Sequence, residues 1–228
     1  LVLQLTDDPL ALGTVLALAG VPRALFTLLG GAVSDRFSPR AIMLASDVAR
    51  LALTALLAVV ALAGWTQLWM LYLLAVAFGL VSGFFLPASN AMMPLLVERG
   101  DLQMGNALFQ GTAQLTVFLG PVLAGGLIAL RAPQGQETSA GMGTQGTGLA
   151  FAVDALTFLV SVVTLALMRG LPARRRGATR KGSVLASITE GLRYVWRDPL
   201  LRNLLAIVAA INALFVGPLL VGVPILAR

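Results

Sequence analysis

Apolar residues along this chain gather into long blocks divided by short polar links, without the three-to-four-residue return of polar positions that marks an amphipathic helix. Most blocks approach the roughly 20 residues that a helix needs to cross a bilayer's hydrocarbon core. Leu1 to Leu5 reads as the tail of a first helix, mostly absent from the sequence, and Thr6-Asp7-Asp8-Pro9 as a turn whose Asp and Pro favour a helix start. A second span is predicted over Leu10–Val33, interrupted by Pro22 and Arg23, followed by a polar loop from Ser34 to Arg40. The third covers Ala41–Ala63 and closes on Gly64-Trp65-Thr66-Gln67. The fourth runs over Leu68–Leu86 and less cleanly to Val97, with Pro87 and Pro94 near its end. After the polar link Glu98-Arg99-Gly100-Asp101, a fifth is expected over Asn106–Leu130, a sixth over Leu149–Met168 and a seventh over Leu200–Ala227. The Gly/Thr/Gln-rich stretch 131–148 reads as a flexible loop.

Composition strengthens the membrane assignment and narrows the chemistry. Hydrophobic residues make up 58% of the 228 and charged residues 11%, less than half the roughly 25% typical of a soluble domain. Without cysteine there is no disulfide framework and no thiolate metal site; without histidine the commonest general base and metal ligand are missing too. No metal site, cofactor or catalytic constellation is expected, so the chain does not read as an enzyme. No Gly-x-x-x-x-Gly-Lys-Ser/Thr loop cradles a nucleotide phosphate.

The net charge of +6 would suit nucleic acid, but its distribution points elsewhere. Arg36, Arg40, Arg99, Arg169, Arg174, Arg175, Arg176, Arg180, Lys181, Arg193 and Arg197 fall in alternate loops, against Arg131 alone in the others. The positive-inside rule therefore places loops 34–40, 98–105 and 169–199 in the cytoplasm. The last is a basic linker in which Val184, Leu185, Ile188, Leu192 and Val195 recur at helical spacing. Either an amphipathic helix at the lipid headgroups or a solvated linker helix fits that stripe.

Charges inside spans are costly, about 2.5–3.5 kcal/mol each on insertion scales, and call for a cavity or a partner. Arg23 sits mid-span and is a candidate functional or paired charge. Asp47 and Arg50, three apart on one helical face, suit an intrahelical pair or a contact with the 34–40 loop. Asp154, read as about one turn into the sixth helix, either titrates during proton coupling or braces the outer gate. Asn90, Gln110 and Gln114 either join helices or line a substrate cavity, the two glutamines sharing a face at i, i+4.

The segment Gly31-Ala32-Val33-Ser34-Asp35-Arg36-Phe37-Ser38-Pro39-Arg40 resembles the loop signature of the major facilitator superfamily, Gly-x-Leu-Ala-Asp-Arg-x-Gly-Arg-Arg. Ser38 and Pro39 depart from it where glycine and arginine are usual. The fifth span, with Gly111 and Gly120-Pro121-Val122-Leu123-Ala124-Gly125-Gly126, resembles the Gly/Pro motif of drug/proton antiporters, its Gly-Gly pair one residue late. Ser46-Asp47-Val48-Ala49-Arg50, Asn106-Ala107-Leu108, Phe151-x-x-Asp154-Ala155-x-Thr157-Phe158 and the stretch 190–197 are similar to the macrolide-efflux and enterobactin-exporter branch.

The resemblance implies an all-α membrane protein: the six-helix N-terminal bundle over 1–168, its first helix mostly missing, a cytoplasmic linker over 169–199, and at 200–228 the first helix of a second half. It further implies that Gly31, Asp35, Arg36 and Arg40 latch the cytoplasmic side, and that Gly111, Gly120, Pro121, Gly125 and Gly126 bear on antiport direction. The expected function is proton-coupled export of small amphipathic molecules, drugs or siderophores, across the plasma membrane by alternating access. Its partners would be lipid, substrate, the proton and the missing C-terminal half, with no nucleic acid. A non-transporting scaffold or receptor and the membrane subunit of an ATP-driven pump are the alternatives.

Overall fold

The computed structural model describes residues 1–6, 8–34, 37–98, 100–129, 140–168 and 193–212, together with 189, 214 and 222. Among them the helices are α1 (Val2–Leu5), α2 (Pro9–Ser34), α3 (Pro39–Leu62), α4 (Leu68–Leu96), α5 (Leu102–Ala129), α6 (Ala140–Leu167) and α7 (Pro199–Ile211), with no strand. Five of these, α2 to α6, are long and apolar enough to cross a membrane. The all-α membrane architecture expected from the pattern is the one observed.

Local chemistry sets the helix ends. The Asp8 carboxylate accepts from the Leu10 backbone N–H at 2.9 Å, just ahead of Pro9, and Asp198 accepts from Leu200 N–H at 2.9 Å ahead of Pro199. Each satisfies an orphan donor of a helix start, where proline's missing N–H costs nothing. Pro39, which departs from the family's loop pattern, fills the same role: it is the first residue of α3. The far end of α3 closes at Gly64 with φ +71°, where Gly64 N–H donates to Ala61 O and Trp65 N–H to Val60 O. A left-handed residue at this position favours glycine.

Three spans differ from expectation. Neither Pro22 nor Arg23 interrupts α2, which continues to Ser34; proline inside a membrane helix is tolerated because neighbouring groups take up the freed backbone. Helix α5 starts at Leu102, earlier than Asn106. Helix α6 starts at Ala140, inside the stretch read as a loop. There Gly148 lies so close to α3 that a Cβ would come within 2.8 Å of the Leu62 side chain. Packing on α3 supports a helix that local glycine content disfavours. The seventh span is described only to its midpoint. Most of the 169–199 linker lies outside the described residues, residues 193–197 being helical.

Two seams hold the bundle. Helices α3 and α6 run antiparallel, meeting at Arg40 with Leu165, Asp47 with Ser161, and Leu62 with Gly148. Helices α2 and α4 run parallel through glycines. A Cβ on Gly79 would strike the Ala19 backbone, one on Gly83 would lie 2.7 Å from Phe26 Cβ, and one on Gly30 would lie 2.7 Å from the Gly83 carbonyl oxygen. Small residues let the two backbones touch, and dispersion between touching backbones replaces the hydrophobic force that lipid does not supply.

The interior is inside-out relative to a soluble protein. On α3 the buried residues Ser46, Asp47, Arg50, Thr54, Ala58 and Ala61 form one polar or small stripe, whereas Val48, Leu56, Val59 and Leu62 are exposed. In water this arrangement would forfeit the hydrophobic driving force. With hydrocarbon as solvent it is favourable, since polar groups find partners only inside.

Candidate transport site: a buried ion pair beside an apolar cavity

Helix α3 contributes Asp47 and Arg50 one turn apart, both buried. The Asp47 carboxylate accepts a 2.6 Å hydrogen bond from the Ser161 hydroxyl of α6, and its other oxygen lies 3.5 Å from an Arg50 guanidinium nitrogen. Phe78 and Phe85 of α4 and Phe158 of α6 surround that guanidinium, their ring centroids 5.8, 4.1 and 5.8 Å from its Cζ. A desolvated cation over a ring face gains about 2 kcal/mol or more, and Phe85 is best placed to provide it. The Arg50 Nε has no hydrogen-bond partner among the described residues, so aromatic rings hold this side chain as much as its carboxylate does. The unit ties three helices together with a net charge of zero.

Next to it, α1, α2, α3, α4 and α6 line an open cavity of about 460 Å³, within the roughly 300–1,000 Å³ range of small-molecule sites. Its walls are almost wholly aliphatic and aromatic, the polar side chains being Thr54 and Asp154. Phe78 belongs to both structures: it lines the cavity and borders the Arg50 guanidinium. Asp154 is exposed, well inside α6 rather than one turn from its start, because that helix begins earlier than expected. It has no ion-pair partner among the described residues.

A second, more polar cleft of about 420 Å³ lies where α4 ends and α5 begins, lined by Ser89, Asn90, Met93, Pro94, Leu102, Asn106, Phe109 and Gln110. It brings Asn90 and Gln110 together. Gln114, one turn further along α5, is exposed and does not line it.

Of the loop signature, Asp35 and Arg36 lie outside the described residues, and Gly31 has open space where a Cβ would stand. Arg40 donates from Nε to the Leu165 carbonyl at 2.7 Å and from a terminal nitrogen to the Ala166 carbonyl at 2.8 Å. A cation there satisfies orphan carbonyls at the negative end of the α6 dipole. Arg23 is exposed on α2 with no ion pair among the described residues. In α5, Cβ atoms on Gly111, Gly120, Gly125 and Gly126 would meet nothing within 4 Å, and Pro121 is exposed. Sequence reasoning missed Ser161, Phe78 and Phe85 beside Arg50, and the Gly30/Gly79/Gly83 seam, and it named Phe158 only within a stretch similar to the exporter branch. Gly79 and Gly83 carry the Gly-x-x-x-Gly spacing that marks such seams; the aromatic cage left no comparable signal.

Long apolar spans and an inside-out bundle define a multi-pass membrane protein. The sequence model of the Major Facilitator Superfamily matches residues 2–228, and the chain belongs to that superfamily. It is 30% identical over 200 residues to the multidrug efflux pump Tap of Mycolicibacterium fortuitum, covering 84% of this chain and 45% of that protein. It is 28% identical over 215 residues to the uncharacterized MFS-type transporter YfiS of Bacillus subtilis, covering 93% and 46%. The uncharacterized MFS-type transporter y4rN of Sinorhizobium fredii is 26% identical over 223 residues, covering 96% and 50%. The chain thus spans about half the length of the curated relatives it matches. No solved structure gives a significant match.

Proposed function

We propose that the intact protein is a secondary active exporter of small amphipathic molecules, driven by proton antiport through alternating access. The observation that carries this reading is the apolar cavity of about 460 Å³ walled by spans and bearing a single carboxylate. A mostly apolar pocket with few polar anchors suits amphipathic solutes. The similarity to a protein named as a multidrug efflux pump supports the same substrate class. The six-helix unit would rock against a second half, with a site near the bilayer midplane. Asp154, inside a span and without a basic partner among the described residues, is the group proposed to exchange the coupling proton.

In this reading the protein lies in the plasma membrane with loops 34–40, 98–105 and 169–199 in the cytoplasm, where their arginines follow the positive-inside rule. Gly31, Asp35, Arg36 and Arg40 then form a cytoplasmic gate, and the Arg40 bonds to the end of α6 support a mechanical role for it. The glycines of α5 would bear on coupling direction, and Asn90 and Gln110 would offer polar contacts to substrate at the cytoplasmic end. The test is transport of a fluorescent amphipath in inverted vesicles carrying the intact protein. Accumulation that an uncoupler abolishes and ATP depletion spares is expected. Flux that follows ATP and survives the uncoupler would overturn the mechanism, and no flux at all would overturn the transporter reading.

A further inference from the structure

We infer that residues 193–202, the foot of α7, form a binding surface for anionic phospholipid headgroups. This surface is separate from the proposed transport site and does not depend on what the protein moves.

Helix α7 itself marks the bilayer boundary. Arg202 stands in its first turn, and no charged residue follows before Arg228. A charge at depth is costly, and a long basic side chain near a helix end reaches back to the interface, so hydrocarbon begins just past Arg202. Asp198, extended at φ −94° and ψ 109°, separates α7 from the helical turn 193–197, which is therefore not a continuation of the span. At helical rise about 7 Å of chain separates Arg202 from Arg197, comparable to the roughly 5–8 Å headgroup layer of one leaflet. Arg193, Arg197 and Arg202 are exposed, and none has an ion-pair partner among the described residues. The acidic residue among them, Asp198, is committed to its own helix, its carboxylate accepting from the Leu200 and Leu201 N–H groups. Arg193 and Arg197, four apart, share one face of the turn, and Tyr194 and Trp196 are exposed beside them at 65% and 64%. Guanidinium groups offer forked donors to phosphate oxygens, and tyrosine and tryptophan rings sit at headgroup level. A solvated linker could carry the arginines but gains nothing from two exposed aromatic rings next to a span. The corner between α3 and α4 provides the contrast. Trp65 and Trp69 are exposed there at 75% and 53%, and no charged residue lies between Arg50 and Glu98. Rings without cations settle at an interface but do not sort lipids by charge.

Quenching of tryptophan fluorescence by brominated lipid tests this in the intact protein. The vesicles are phosphatidylcholine carrying brominated phosphatidylglycerol or, at equal mole fraction, brominated phosphatidylcholine. With every tryptophan but Trp196 replaced by phenylalanine, the phosphatidylglycerol should quench more strongly; with Trp65 and Trp69 alone retained, the two lipids should quench alike. Arg202→Gln should weaken the phosphatidylglycerol preference at Trp196 by about five-fold. Arg193→Gln, Arg197→Gln and Arg202→Gln combined should abolish it, whereas lysine at all three positions should keep it. Loss of the preference with lysine would point to structure instead of charge and overturn the inference. So would equal quenching of Trp196 by the two lipids, or the same phosphatidylglycerol excess at Trp65 and Trp69. Quenching by neither lipid would mean that protein covers the segment, which also overturns it. Should the triple glutamine variant fail to reconstitute, salt decides: the excess at Trp196 must fall as sodium chloride rises, and an excess indifferent to salt refutes the headgroup site. Inorganic phosphate should displace the lipid no better than chloride at equal ionic strength; specific displacement by phosphate would assign the surface to a free anion and sink the lipid reading.

Discussion

Helices α4 and α5 are both long and apolar, and both contain glycines and proline, yet within this chain they pack in opposite ways. On α4, Gly79 and Gly83 press against the backbone of α2, and Ser82, Ala88, Ser89 and Met92 are buried. On α5 no described side chain is buried, and Gly111, Gly120, Gly125 and Gly126 look onto open space. The lesson is that a small-residue helix face is only a capacity for close approach. Whether it becomes a seam depends on a partner of matching shape, because lipid supplies no hydrophobic force to drive helices together.

That contrast gives an ordered set of expectations for this chain in detergent, read by thermal unfolding. The largest effect belongs to the buried pair: Arg50→Leu should cost about 3–5 kcal/mol by leaving Asp47 as an uncompensated internal charge. The double variant Asp47→Leu with Arg50→Leu should cost distinctly less than the sum of the single changes; additive losses would show that the residues do not act as a unit. Next comes the glycine seam, where Gly83→Leu should cost about 1–3 kcal/mol by forcing α2 and α4 apart. A silent Gly83→Leu would erase the distinction between α4 and α5. Arg40→Gln should cost about 1.5 kcal/mol, since it gives up charged hydrogen bonds to two α6 carbonyls. The smallest effect is expected at Gly120→Leu on α5, within about 0.5 kcal/mol of wild type. A loss as large as that of Gly83→Leu would mean that α5 has a packed partner within this chain.

Much of the architecture was legible in the order of residues. Spans α2 to α4 could be read to within a few positions, because lipid demands an unbroken apolar run and punctuates it with charges, prolines and glycines. The Asp47–Arg50 pair was legible as well, since three residues on a helix place two side chains on one face. The start of α6 was not legible: glycines at 141, 143, 146 and 148 signal a loop locally, and a helix forms there alongside α3. Nor was the setting of the pair. Ser161 lies 114 residues from Asp47 along the chain, and a phenylalanine that cages a guanidinium has the same sequence environment as one that faces lipid.

The amino-acid order alone marked which segments are apolar enough to enter a bilayer and which ionisable groups they carry, because transfer into hydrocarbon is decided residue by residue. Only the folded bundle decided which of those groups would meet. It gave Asp47 a cation and a hydroxyl, and left Asp154 on the wall of an apolar cavity without a basic partner among the described residues. Such pairing depends on the lateral packing of helices, a property of contacts distant in sequence that local chemistry does not encode.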